Sequence, residues 1–374
     1  NSRSRSAGIS VVIAMSTGSL SGSTSVAKRV FNLALQTRDA IADSVADIFA
    51  SAAADNYLYI ELVLEPSFHT GRGLTMAHIV DATLDAIASA SESTGVLAGL
   101  VLAVSVSPAT LCDPLVFREI AELAVARKGP VSGVGVFGSI DLAPEDYRYY
   151  QATFDFLKDA TMPVVISAGS QSPETVLAAL SDGGADRISG GFQIHKEPQL
   201  FNYIADLGIP LELGITDKLK LYTADTDLFT PSPVKLFLDN EISVALCSFR
   251  ATMYTTKLVG SIADLVVRAD INIAYLLKLL AGGIDAIFAP YDLKCKLRSH
   301  FFDAATRIAH EHGFVYIHFM HYMQVPAGHA DRYQYGAFEA NEPTIDDDMF
   351  VNWSLAARMA RESEPAVLAA LADP

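Results

Sequence analysis

Short apolar runs alternate with longer amphipathic segments along most of this chain. The runs are Ile9–Met15 (ISVVIAM), Tyr57–Pro66 (YLYIELVLEP), Val96–Ser105, Val131–Ile140, the stretch opening with Val164, Val165 and Ile166, the stretch entered through Arg187 and Ile188, Pro210–Leu213 (PLEL) and Ile242–Cys247. They are short, rich in branched apolar residues and bounded by Gly, Ser, Pro or Asp, the pattern of buried strands. Between and after them lie segments with helical spacing: Val26–Ala54, Met76–Ser91, Pro114–Arg127, Pro198–Leu207, Val234–Asn240, Leu258–Ala269, Ile273–Leu280 and Asp292–Arg307. A strand–helix unit repeated in this way predicts an α/β protein of the (β/α)8 TIM-barrel type. In that architecture the loops at the C-terminal ends of the strands carry the chemistry.

The stretch Pro163–Gly191 is one complete unit. Its strand ends in Ser167-Ala168-Gly169-Ser170. Ser172 is placed to cap the following helix and Pro173 suits its first turn. Val176, Leu177 and Leu180 give that helix an apolar face, Gly183-Gly184 break it, and Arg187-Ile188-Ser189-Gly190-Gly191 forms the next strand and its exit.

Composition narrows the function classes. Hydrophobic residues make up 51% of the chain and charged residues 19%, enough apolar material for a large core. The formal charge of -16 opposes a nucleic-acid surface, which needs Lys and Arg to neutralise phosphates. Cys112, Cys247 and Cys295 are isolated and form no CxxC pair, so free thiols in a reducing compartment, the cytoplasm or an organelle reached after removal of a targeting segment, are expected. No apolar run of about 18 residues marks a membrane span. Asn1–Ala7 is Ser/Arg-rich and lacks the hydrophobic segment of a secretory signal.

The strand ends carry a specific pattern. Gly18-Ser19 follow the first strand, and Tyr59, Glu61 and Pro66 mark the second. Asp141-Leu142-Ala143 follows the fourth, Ala168-Gly169 the fifth, and Arg187-Ile188 with Gly191 frame the sixth. Glu212 and Thr216 mark the seventh. In this order the residues resemble the adenosine deaminase family of the metal-dependent amidohydrolases, over about Ile9 to His310. Family members read His-x-His-Leu-Asp-Gly-Ser, Tyr-x-Glu-x-Arg-x-x-Pro, Asp-Leu-Ala-Gly, His-Ala-Gly-Glu, Arg-Ile/Val-Gly-His-Gly and Asn-Thr-Asp-Asp-Pro at these places. The resemblance implies a zinc-dependent barrel that deaminates a purine nucleoside.

The resemblance also shows where this chain departs. The positions that it gives to zinc ligands are Ile13, Met15, Ser167 and Phe249; those for proton handling, water orientation and substrate grip are Ser170, Gly190 and Arg250. Zinc takes imidazole nitrogen, carboxylate oxygen or thiolate, and none of these side chains supplies one. Pro144 stands where a Gly backbone N–H would donate to the purine, and proline has no N–H. The expectation from sequence is therefore a barrel without zinc or other cofactor. It is a non-enzyme that serves as a structural or regulatory subunit, with protein partners in a homo-oligomer, hetero-oligomer or larger assembly. Glu65, Asp141, Thr216 and Arg250 form a candidate residual pocket, with Glu65 or Asp141 as counter-charge for Arg250. Two alternatives stand beside it. One is a nucleoside-binding sensor built on Asp141, Thr216 and Arg250. The other is an enzyme of altered chemistry using Ser167 or Ser170, with His69 as the candidate base.

The expected organisation is an N-terminal tail over 1–8, the barrel over 9–310, and an extension over 311–374 that docks on a neighbour or on the barrel. The extension holds an aromatic, His-rich run (His312, Phe314, Tyr316, His318, Phe319, His321, Tyr322), an acidic Asp346-Asp347-Asp348 and a helix around Phe350–Leu371.

Overall fold

A computed structural model describes residues 10–16, 34–106, 111–138, 141–170, 172–213, 233–247 and 273–311. The parallel sheet runs β1 (Ser10–Ser16), β2 (Tyr57–Leu64), β3 (Leu97–Val106), β4 (Val131–Gly138), β5 (Val164–Ala168), β6 (Arg187–Gly190), β7 (Leu211–Leu213) and β8 (Val244–Leu246). The eight strands are ordered as they occur in the sequence, β1 to β8, each parallel to the next. β1 and β8 also approach one another, so the sheet curls round on itself. This is the (β/α)8 architecture that the alternating pattern predicts.

The connecting helices are α1 (Arg38–Ala54), α2 (Met76–Thr94), α3 (Pro114–Ala126), α4 (Gln151–Asp159), α5 (Glu174–Ser181), α6 (Pro198–Leu207), α7 (Pro233–Asp239) and α8 (Ile273–Ala286). Strand parity sets two apolar regions. Leu100, Leu102, Val134, Val136, Val164, Ile166, Ile188, Leu211 and Val244 join the core shared with the helices. The alternate residues, among them Gly133, Gly135, Val165, Arg187, Ser189 and Glu212, take the opposite face, toward the barrel interior. Glycine is required in that interior where side chains crowd: a Cβ on Gly133 would lie 2.4 Å from the Phe288 ring, and one on Gly135 would lie 2.3 Å from Phe137.

Helix α4 is missing from the sequence expectation. Its segment, QATFDFLKD, is mostly polar, and only Thr153, Phe154 and Leu157 are buried. Phe154 holds the helix in place through an edge-on contact with Phe117 of α3 at 5.4 Å. Helix starts, by contrast, follow local chemistry. Asp113 accepts the Leu115 N–H at 2.9 Å, with Pro114 in the first turn of α3. Asp113→Ala is expected to cost about 1 kcal/mol, read as a lower denaturant midpoint with an unchanged slope.

Ser10–Pro290 forms one compact unit; a separate unit takes in Tyr291 onward, of which helix α9 (Tyr291–Glu311) is described. Among the described residues no helix is long and apolar enough to cross a membrane. Cys112, Cys247 and Cys295 are free thiols. The segments Leu258–Ala269, Phe350–Leu371 and the His-rich run from His312 lie outside the described residues.

Candidate active site at the barrel mouth

The C-terminal ends of β5 and β6 meet through their backbones. The Gly191 N–H donates to the Ala168 carbonyl at 2.7 Å, and the Gln193 N–H donates to the Gly169 carbonyl at 3.0 Å. Gly169, Gly190 and Gly191 have φ of +70, +120 and +77, values that side chains oppose. A Cβ on Gly169 would lie 2.7 Å from the Gly191 Cα and 2.5 Å from a Val176 methyl. A Cβ on Gly190 would lie 2.7 Å from the Ala168 carbonyl oxygen and 3.2 Å from the Ser170 hydroxyl. The sequence therefore needs glycine at this crossing for reasons of space as well as backbone conformation.

Asp141 organises the loop that leaves β5. Its Oδ2 accepts the Ser170 N–H at 2.8 Å and the Thr175 hydroxyl at 3.1 Å. Thr175 Oγ1 in turn accepts the Gly169 N–H at 2.9 Å. One buried carboxylate thus ties the β4 exit to the β5–α5 turn. Glu65 does the same between β2 and β3: it accepts the Ser105 N–H at 3.0 Å and the Ser105 hydroxyl at 2.5 Å. The structure brings Ser170 and Gly190 together, and adds Thr175, which the sequence reading missed. The signal was present in Thr175 standing in the first turn after Ser172-Pro173, one turn from the strand end.

The other candidates separate. Pro144 is exposed and opens a 3-10 helix (Pro144–Tyr149), a position where the missing N–H costs no helical bond. His69 is fully buried in the 3-10 turn Pro66–His69 that follows β2. Arg250, Thr216 and Phe249 lie outside the described residues, so the proposed Arg250 counter-charge does too. Asp141 and Glu65 hold the backbone contacts above.

The interior beneath the mouth carries a network that the sequence reading left as separate framework residues. Arg187, Glu61 and Glu212 are each fully buried. Arg187 Nη2 donates to Glu61 Oε2 at 2.8 Å, and Arg187 Nη1 donates to the Ala286 carbonyl at 2.7 Å. Arg187 Nε forms an ion pair with Glu212 Oε2 at 3.0 Å. Glu61 Oε1 also accepts the Phe288 N–H at 2.5 Å, and the Phe288 ring centre lies 4.0 Å from the guanidinium carbon. Burial first, and then the Glu61 charge, push the Glu212 carboxyl up to about 7 against the opposing pull of Arg187 and the Cys247 thiol. Burial and the Glu61 charge hold the Tyr59 phenol neutral.

The described residues at the mouth supply part of the donor set that a metal would meet. Ser167 is half-buried, and Ser167, Ser170 and Gly190 offer neither imidazole nor carboxylate. The path of β1 is described but not its side chains, and Ile13 and Met15 are residue types without a nitrogen or carboxylate donor. Residues at these positions do not fit zinc in the manner of the resemblance.

The chain matches the adenosine deaminase family over residues 27–304 and belongs to it. It is 31% identical over 277 residues to a probable adenosine deaminase of Dictyostelium discoideum, which covers 74% of this chain and 35% of the relative. The chain therefore spans about a third of that relative's length. Among solved structures, a cog1816 amidohydrolase from Burkholderia ambifaria with bound Zn has a TM-score of 0.68 at 21% identity, over 77% of this chain and 80% of that one. The N6-methyl-AMP deaminase of Arabidopsis thaliana has a TM-score of 0.62 at 19% identity, over 72% of this chain and 80% of that one.

Two expectations are corrected by these relatives. The expectation of a non-enzyme falls, because the chain belongs to a family whose named relatives are deaminases. The expectation that zinc has no place falls with it, because the chain belongs to the adenosine deaminase family, in which the resemblance implies zinc, and a structure similar to it in fold has bound Zn. The physical reason is that substitutions at motif positions test a single arrangement of donors. They do not test what else a barrel mouth can assemble.

Proposed function

We propose that this chain recognises a purine nucleoside or nucleotide at the C-terminal mouth of its barrel and acts within the hydrolytic deaminase chemistry of its family. The observation that carries the reading is the crossing of the β5 and β6 ends at Gly169, Gly190 and Gly191. The missing Cβ atoms let the β5 and β6 exits pack backbone against backbone, which sets the position of the two loops at the end of the barrel that carries chemistry. Asp141 fixes this surface by holding the Ser170 amide and the Thr175 hydroxyl. The family resemblance of the frame and the named deaminases among its relatives support the class of ligand.

Titration calorimetry with adenosine, AMP, N6-methyl-AMP and inosine tests the reading, alongside an ammonia-release assay with and without added Zn2+. Saturable heat with at least one purine is expected. Asp141→Ala should weaken it about tenfold, or about 1.4 kcal/mol, through loss of the ordered turn. Absence of heat with every purine overturns the proposal.

A place in a protein assembly is a companion reading. Leu177 of α5 and Tyr203 and Leu207 of α6 are exposed on consecutive helices at 55%, 47% and 58%, a feature that partner surfaces use. The native size of the endogenous protein by gel filtration tests it, and elution as a monomer counts against it.

A further inference from the structure

We propose that Glu212 is a proton-operated latch on the β6–β7–β8 side of the barrel, closed when its carboxyl is protonated and loosened when it ionises. The inference starts from a charge count. Two carboxylates, Glu61 and Glu212, share one guanidinium, and all three are fully buried. Glu61 is the better served: it accepts from Arg187 Nη2 and from the Phe288 N–H. Glu212 has the Nε ion pair at 3.0 Å and the Cys247 thiol. With both acids ionised the described trio carries a net negative charge, a costly state away from water.

Its place in the sheet gives that charge leverage. Glu212 is the central residue of β7, the three-residue strand that must pair on both sides. Its partners are Ser189 on β6 and Ala245 on β8. The β6–β7 ladder has the registers Ile188↔Leu211 and Ser189↔Glu212, so a change at Glu212 falls on one of its two register pairs. Ser189 lies directly before Gly190, so loosening here reaches the mouth.

Among the described residues the groups that act on Glu212 are Arg187 from β6, Glu61 from β2 and Cys247 after β8, and Tyr59 of β2 acts on the network through Glu61 and Arg187. Arg187 stays charged and Tyr59 stays neutral at ordinary pH. Burial and the neighbouring Glu61 charge push the Glu212 carboxyl up to about 7. Its folded value lies above its ordinary value of 4.5, so the closed form holds more protons than the opened one. Stability from this group is complete below its ordinary value and is lost as pH rises through about 7.

Native-state hydrogen exchange of the full chain at the amides of β7 and β8 reads the latch. After intrinsic exchange is divided out, the opening constant should rise about tenfold per pH unit between ~5 and ~7, one proton being released per opening. Glu212→Gln, which keeps the neutral shape, should abolish that slope and leave β2–β3 amides unchanged. An equal slope in wild type and E212Q overturns the proposal. Should E212Q fail to fold, a 13C-carboxyl titration of wild-type Glu212 decides: a midpoint near neutrality supports the latch, and one in the ordinary carboxylate range overturns it.

Discussion

Arg187→Met is expected to lower stability by about 3–5 kcal/mol, because it leaves buried carboxylates without their cation. The loss goes beyond the two ion pairs. The Ala286 carbonyl loses its donor, and the strap from Ala286 to Phe288 loses the guanidinium that stacks on its ring. Equilibrium denaturation measures the effect, and a change below about 1 kcal/mol would show that the network is not closed as described. The companion test separates charge from shape. Changing Glu61 and Glu212 to leucine alongside Arg187→Met is expected to restore most of the loss, since apolar replacement of a whole buried ion cluster is often neutral or stabilising. The three changes are then strongly non-additive, as contacting residues should be. Additive losses would mean that the carboxylates have roles outside the network.

The same three residues show how far the sequence could be read. Glu61, Arg187 and Glu212 each stand on a strand, and their parity with Gly133 and Val165 could be counted from the alternation. Their convergence could not, because it depends on how far the barrel closes and how its strands stagger. The order of strands and helices was legible, since each apolar run is bounded by Gly, Ser, Pro or Asp. Helix α4 was not, because Phe154 and Leu157 are too few to give a periodic face. They are anchored by partners such as Phe117, distant in sequence.

At the mouth the sequence named Ser170, Gly190 and Asp141 but not the backbone role of Asp141. It was read as a counter-charge or pocket wall, and the structure adds that it accepts the Ser170 amide and the Thr175 hydroxyl. A carboxylate that follows a strand looks the same in sequence whether it binds a ligand or a backbone. The substituted motif positions misled for a related reason. They showed which donors had gone and nothing of the backbone crossing that remains.

That crossing makes Gly169→Ala the second large expected effect, about 3 kcal/mol of lost stability. Two costs add. The left-handed backbone at φ +70 opposes any Cβ, by roughly 1–2 kcal/mol. The new methyl would also lie 2.7 Å from the Gly191 Cα, and overpacking against a fixed neighbour adds roughly 1–3 kcal/mol. Gly95→Ala supplies the control. Gly95 has φ +77 at the end of α2, but a Cβ there meets nothing within 4 Å. It carries the conformational cost alone, about 1 kcal/mol. The difference between the two variants in denaturant midpoint measures the contact at the mouth. Equal losses would mean that β5 and β6 do not touch as closely as described. A larger loss at Gly169, accompanied by loss of purine heat that Gly95→Ala retains, would tie the proposed ligand surface to the crossing itself.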